Sequence, residues 1–157
     1  MRKVFVVLSG LLLLAVVLQF YFAAVGAFDR PQDDDSFAAH GTNALVILIL
    51  SLLTTISAAL ARAGGRTIGL AALPMLLVVL QIVIFIVADL FVPAGTPRDA
   101  DDVPLEVGGA ALYTIGLHAV NGLAILLTAV VIFRRARVLD RSTRAVAAPA
   151  SADVPVG

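Results

Sequence analysis

Two histidines, each followed three positions later by an asparagine, are the residues of this sequence best suited to bind a cofactor. His40 precedes Asn43, and His118 precedes Asn121. Residues three apart share one face of a helix, so each pair presents an imidazole and an amide together. Imidazole is a common haem ligand, and a metal-bound histidine usually donates its second N–H to a polar neighbour. The pattern raises the hypothesis of one b-type haem between His40 and His118, with Asn43 and Asn121 fixing the imidazoles or meeting a propionate.

Two glutamines extend this pattern into an internal repeat. The tetrapeptide Val-Val-Leu-Gln ends at Gln19 and occurs again ending at Gln81. In both cases the glutamine precedes the histidine of the same half of the chain. Self-similarity of this kind predicts a duplicated structural unit. We therefore expect two copies of one helical hairpin, related by a rotation of about 180° about the bundle axis, with Gln19 and Gln81 in a shared polar layer.

The composition indicates whether the segments that carry these residues are surrounded by water or by a lipid bilayer. The 157 residues are 61% hydrophobic and 14% charged, with a mean hydropathy of +1.04. A soluble domain usually carries about 25% charged residues. The excess of apolar side chains therefore indicates a membrane protein. Because the sequence contains no cysteine, disulfides, thiolate metal sites, iron–sulfur clusters and covalently attached haem are excluded.

Four apolar runs are long enough to cross a bilayer. They cover residues 4–28, 37–61, 67–92 and 108–133. In hydrocarbon the backbone must satisfy its own hydrogen bonds, so each run is predicted to be a helix. The predicted fold is an all-α, up-down-up-down four-helix transmembrane bundle over residues 1–137, followed by a disordered tail over residues 138–157. The first run exceeds the length of a signal-peptide core, and we expect it to remain as a helix.

The charges between the runs predict the orientation. The connections at residues 29–36 and 93–107 are rich in aspartate, and all basic residues except Arg30 and Arg98 lie at the chain ends or in the second connection. Basic segments stay on the cytoplasmic side. We therefore predict a multi-pass protein of the bacterial plasma membrane with both termini in the cytoplasm. The arginines of residues 134–144 are interpreted as a stop-transfer anchor.

The order of the helices predicts where the histidines meet. In a bundle with short connections, consecutive helices are neighbours, so the second and fourth helices are diagonal. His40 and His118 should then face each other across the core. Counting 1.5 Å per residue from the basic flanks leaves them mismatched in depth by roughly 9 Å. Helix tilt, or a fourth helix that continues past Arg134, would close this gap.

Other functions remain open at the level of sequence. The polar residues could form interhelical hydrogen bonds worth about 0.6 kcal/mol each in an accessory subunit without a cofactor. A small transporter is the next alternative, but proton-coupled transport needs a carboxylate deep in the membrane. Asp89 instead lies near the outer end of the third helix, where we expect it to pair with Arg30 or Arg98.

An enzyme is not predicted, because no nucleophile is paired with a base and no phosphate-binding loop occurs. The expected partners are the lipid bilayer and either a membrane redox protein or a second copy of the chain. A nucleic-acid partner is not expected.

The polar residues also carry a family resemblance. Gln19 lies near the end of the first helix, His40 opens the second, and Leu117 to Asn121 forms a Leu-His-x-x-Asn element in the fourth. On these residues the chain resembles a small bacterial four-helix membrane protein family of unknown function, over residues 4–135. In style the bundle is similar to b561-type cytochromes. The resemblance implies the four-helix membrane fold and brings no established activity.

Overall fold

The computed structural model consists of four long helices. They are α1 (Arg2–Phe28), α2 (Ala38–Leu60), α3 (Gly65–Asp89) and α4 (Gly109–Ala147). All four are long and apolar enough to cross a membrane, which confirms the predicted all-α membrane fold. The structure describes residues 1–31, 33, 35–98, 104 and 107–147, and for residues 143–147 it describes the backbone only.

The turn between α2 and α3 shows how a short connection makes two helices antiparallel. Arg62 adopts the left-handed conformation with φ of 54°, and Gly64 has φ of 82°. The backbone N–H of Ala63 donates to the carbonyl of Ala58 at 3.0 Å, which closes the end of α2 as a Schellman-type cap. Because the chain reverses within a few residues, α3 starts directly beside the end of α2.

The fourth helix is longer than the sequence suggested. We expected the span to end at residue 133 and a disordered tail from residue 138, but α4 continues to Ala147. Residues 134–147 contain neither glycine nor proline, and arginine and alanine are strong helix formers. The hydrocarbon boundary therefore ends the apolar segment without ending the helix. The predicted disorder of residues 148–157 lies outside the described part of the chain.

The helices form a closed ring in chain order. Each packs against the next, and α1 closes the ring against α4. The pairs α1/α3 and α2/α4 therefore lie on the diagonals, as predicted. We call the end with Met1, the α2–α3 turn and the α4 extension the basic end, and the end with the other two connections the acidic end.

Two layers of buried apolar side chains fill the bundle. Alanines recur in both layers, and a small side chain lets neighbouring helix backbones approach closely. Large apolar side chains on the outward faces are exposed, for example Leu45 at 62% and Leu127 at 67%, as expected for surfaces that meet lipid. The buried residues near the basic end are Phe5, Ala58, Ala61, Ala71, Ile132 and Ala136. Those in the middle are Leu12, Ala15, Val16, Ile47, Ile125 and Ala129.

An ion pair lies at the acidic end. Nη2 of Arg98 donates to Oδ1 of Asp89 at 2.7 Å. This confirms Arg98, one of the two partners expected for this carboxylate. The side chains are 29% and 49% exposed respectively. An ion pair this exposed contributes little to stability. Its position at the end of α3 also means that Asp89 does not supply a carboxylate deep within the bundle.

Candidate functional site

A slot of about 440 Å³ lies between the two hairpins, α1–α2 and α3–α4, in the half of the bundle nearer the acidic end. All four helices contribute to its lining. The lining nearest the middle of the bundle is formed by Val16, Ile47, Val78 and Ile125, one aliphatic side chain from each helix. The slot is mainly apolar, and its polar groups come from the histidines and glutamines selected from the sequence.

The structure brings the two histidines together. The ring centroids of His40 and His118 are 5.8 Å apart, and the ring planes are inclined by 52°. These imidazoles come from diagonal helices and meet across the slot. The mismatch in depth that counting from the basic flanks predicted is absent, and α4 does continue past Arg134, which is one of the two expected ways to remove it.

His40 is held by two hydrogen bonds to one residue of the neighbouring helix. Gln19 Nε2 donates to the backbone carbonyl of His40 at 3.0 Å. His40 Nδ1 lies 3.1 Å from the backbone carbonyl oxygen of Gln19. A carbonyl oxygen only accepts, so Nδ1 of the neutral ring carries the proton. The lone pair of His40 is therefore on Nε2, the nitrogen left available for a ligand.

His118 makes only one of the two corresponding hydrogen bonds with Gln81. Gln81 Nε2 donates to its backbone carbonyl at 3.1 Å, as Gln19 does for His40. His118 Nδ1 and Gln81 Oε1, however, are buried with no hydrogen-bond partner among the described residues. The ring of Phe85 packs against His118 with centroids 5.0 Å apart. Among the described residues, no acceptor bonds to Nδ1 of His118 and sets the tautomer as the Gln19 carbonyl does for His40.

The asparagines do not touch the imidazoles. Asn43 Nδ2 donates to the Ala15 carbonyl at 2.8 Å and to Gln19 Oε1 at 2.6 Å, and Asn121 Nδ2 donates to the Leu77 carbonyl at 2.8 Å. Neither asparagine lines the slot. The sequence predicted that the asparagines orient the imidazoles or bind a cofactor, whereas in the structure their amides donate to other groups. One turn beyond the histidine, the amide reaches the backbone of the adjacent helix and not the interior of the bundle.

The sequence analysis did not assign the small residues beside the histidines to the site, although their spacing relative to each histidine is the same in both halves. Each histidine is followed directly by a small residue, and a second small residue lies four positions after it. These four residues line the slot and leave room beside the imidazoles: Gly41, Ala44, Ala119 and Gly122. Phe20 and Phe85 line it as well. Phe85 lies four positions after Gln81 and so shares its helix face, whereas nothing in the spacing of Phe20 distinguished it from a lipid-facing aromatic.

The donor set limits what the slot can bind. Two imidazoles and two carboxamides line it, and no carboxylate among the described residues does so. Among the described residues, no group of three or more His, Asp or Glu side chains could hold a metal ion. A bare metal ion bound as in zinc enzymes needs at least three protein ligands. A haem needs only axial ligands, because the porphyrin supplies the other four nitrogens, and a pair of imidazoles fits that requirement.

Comparison with known proteins agrees with the resemblance seen in the sequence. Residues 19–88 match a family of unknown function (DUF6220). The match runs from Gln19 in α1 to the end of α3 and covers less than half of the chain. The expected similarity to an uncharacterised family is thus confirmed. No curated protein and no solved structure matches the chain.

Proposed function

We propose that this chain is a small membrane cytochrome that holds one b-type haem in the slot, with His40 and His118 as axial ligands. The observation that carries the proposal is the 5.8 Å separation of the two imidazole centroids. A metal–nitrogen bond of about 2 Å on each side places two such centroids roughly 6 Å apart. The observed separation is therefore close to the spacing that two imidazoles would need to hold one iron between them.

The position, volume and lining of the slot also support a cofactor. It passes between two hairpins that each contribute one histidine, and its volume of about 440 Å³ lies within the range of cofactor sites, roughly 300–1,000 Å³. Its walls are apolar and carry small side chains next to each imidazole, which suits the faces of a porphyrin.

The residues around His40 are arranged as around a metal ligand. Its Nδ1–H donates to the Gln19 carbonyl, which orients the ring and leaves Nε2 for the iron. The side-chain amides of Gln19 and Gln81 donate hydrogen bonds to the backbone carbonyls of His40 and His118, respectively. Bound haem would supply a one-electron couple. On this proposal the protein transfers electrons and is not an enzyme, and its partner is a redox protein of the same membrane.

We further infer that the two hairpins are copies of one unit. Four contacts support this: each glutamine amide binds the carbonyl of the histidine in its own half, and each asparagine amide binds a carbonyl four residues before that glutamine. A duplicated hairpin with an approximate twofold axis along the bundle would place equivalent imidazoles on the two faces of one ligand.

The proposed location is the bacterial plasma membrane with both termini cytoplasmic. The support is the separation of charge between the two ends of the bundle, since basic segments remain on the cytoplasmic side. The slot would then lie in the half of the membrane remote from the cytoplasm. Electrons would enter or leave from that side.

Two alternatives make different predictions. An accessory subunit without a cofactor is favoured by the hydrogen bonds of the asparagines, which join helices within a hairpin and need no ligand. A small transporter is less well supported, because Asp89 lies at the acidic end in an ion pair. The presence or absence of a haem absorbance signal distinguishes the cytochrome from the accessory subunit without a cofactor.

The test is a reduced-minus-oxidised absorbance spectrum of detergent-purified protein expressed with a haem precursor. We expect a b-type signal that is lost in His40→Ala and in His118→Ala. Asn121→Ala serves as the control, because Asn121 lies on the same helix but outside the slot lining, and it should keep the signal. A colourless protein, or a signal that survives both histidine substitutions, would refute the axial assignment.

A further inference from the structure

A second cavity lies at the opposite end of the bundle from the slot. It has a volume of about 350 Å³ and is formed by the start of α3 and the part of α4 around and beyond Arg134. Its polar lining consists of the side chains of Thr67, Arg134, Arg135 and Ser142. None of these residues belongs to the haem proposal, so the two sites stand or fall separately.

The charge of this cavity is positive and is not balanced within its lining. Arg134 and Arg135 both line the cavity, and no acidic residue of the described part of the chain does so. The acidic residue closest to them along α4, Asp140, lies outside the lining. Arginine is well suited to bind phosphate, because its planar group offers several N–H donors in a fixed geometry.

Thr67 adds a hydroxyl to the two arginines. It lies in the first turn of α3 and is 8% exposed. Arg135 Nη1 donates to its Oγ1 at 3.4 Å, a long contact that uses one of the five guanidinium N–H groups. The remaining donors of Arg135 and the hydroxyl proton of Thr67 can therefore serve an anion. The positive end of the α3 dipole favours negative charge at the same place.

The remaining lining distinguishes a lipid from a free anion. Ala63, Val138 and Leu139 give the cavity an apolar wall beside the arginines, and Val138 is 66% exposed. An inorganic phosphate would leave this wall uncovered. An anionic phospholipid would place its phosphate on the guanidinium groups and its glycerol and first methylenes on the apolar residues.

We propose that this cavity binds the phosphate headgroup of an anionic phospholipid. The apolar run of α4 ends immediately before Arg134, so the two guanidinium groups lie where the hydrocarbon of the membrane meets the headgroups. Anionic lipids of the cytoplasmic leaflet attract basic residues at this depth. The continuation of α4 past the hydrocarbon boundary forms one wall of the cavity, which gives the extension a role beyond that of a stop-transfer anchor.

The experiment is a titration of the delipidated, detergent-solubilised full-length protein with phosphatidylglycerol, followed by native mass spectrometry, with phosphatidylcholine as the neutral lipid. The Arg134→Gln/Arg135→Gln double variant removes the proposed site. The Arg137→Gln/Arg141→Gln variant changes the charge by the same amount on the same helix, but neither residue lines the cavity. Helix content by circular dichroism checks that both variants fold.

We expect phosphatidylglycerol to bind the wild-type protein in preference to phosphatidylcholine. Its affinity should fall about tenfold or more in Arg134→Gln/Arg135→Gln and less than about twofold in the control. Equal losses in both double variants would overturn the proposal in favour of diffuse attraction. Displacement of phosphatidylglycerol by millimolar inorganic phosphate would also overturn it, because the site would then recognise the free anion. Should the double variant not fold, Arg134→Gln is compared with Arg137→Gln in the same titration.

Discussion

At the scale of single residues, the two halves of the bundle use the same polar side chains with unequal numbers of hydrogen bonds. Both glutamines bind the carbonyl of a histidine. In the first half, Asn43 also bonds to the side chain of Gln19, whereas Gln81 Oε1 has no partner among the described residues. His40 Nδ1 and Gln19 Oε1 are thus both hydrogen-bonded, whereas the equivalent atoms of the second half, His118 Nδ1 and Gln81 Oε1, have no partner among the described residues. A water molecule or a polar group of a bound ligand could form hydrogen bonds with these two atoms.

The unequal hydrogen bonds predict unequal effects of two equivalent substitutions. Asn121→Ala removes one interhelical hydrogen bond and should lower the free energy of unfolding by about 0.6 kcal/mol. Asn43→Ala removes two and should cost about twice as much. Both variants delete the same atoms, so the comparison isolates the additional bond. Steric trapping in bicelles measures both values, and equal losses would show that the contact between Asn43 and Gln19 contributes nothing.

At the scale of helices, the connections at the two ends of α2 are built in different ways. The α2–α3 turn is a short reversal that depends on left-handed backbone conformations. The connection after α1 instead folds back onto the last turn of that helix. A Cβ on Gly26 would lie 2.5 Å from the Ser36 carbonyl oxygen and 2.7 Å from Phe37 Cδ1. The absence of a side chain at Gly26 therefore allows this connection to pack against α1 and to lead into the turn that carries His40.

The close approach at Gly26 predicts a steric effect. Gly26→Ala should lower the free energy of unfolding by about 1–3 kcal/mol, because the backbone of the connection must move away from the added methyl group. Gly116→Ala is the matched control, since a Cβ there has no neighbour within 4 Å. Its stability should change by less than about 0.5 kcal/mol or increase through helix propensity. A Gly26→Ala variant as stable as the control would contradict the close packing.

At the scale of the whole molecule, charge and cavities are distributed between the two ends. The basic end carries the arginine-lined cavity, and the acidic end carries the slot with both histidines and the pair of Asp89 and Arg98. The walls of the slot belong to two hairpins and those of the basic cavity to α3 and α4, together with the turn before α3. The bundle thus separates a proposed redox site from a proposed lipid site along its length.

The proposed orientation predicts which end of the bundle is accessible from outside the cell. The sequence contains no cysteine, so single-cysteine variants can be labelled without background. Asp35 and Arg66 are both exposed and lie at opposite ends. An impermeant maleimide should label Asp35→Cys in intact cells, and Arg66→Cys only after permeabilisation. The reverse pattern would place the termini outside and the slot in the cytoplasmic half of the membrane.

The sequence by itself determined the number of helices, the approximate extent of the first three, their ring order and the polar residues of the slot. These features follow from local causes: the bilayer sets the length of an apolar run, and short connections make consecutive helices neighbours. Polar side chains in hydrocarbon must face other helices, so the histidines and glutamines could be assigned to the interior from their types alone.

Only the tertiary structure decided how these residues are used. The 5.8 Å between the imidazoles depends on the tilt and rotation of α2 and α4, which no local pattern specifies. The same rotations direct the asparagine amides to neighbouring carbonyls and away from the rings. The length of α4 could not be read from its hydropathy, because the helix continues where the hydrocarbon stops. Both cavities exist for the same reason: their walls come from segments far apart in the chain, and packing alone brings those segments together.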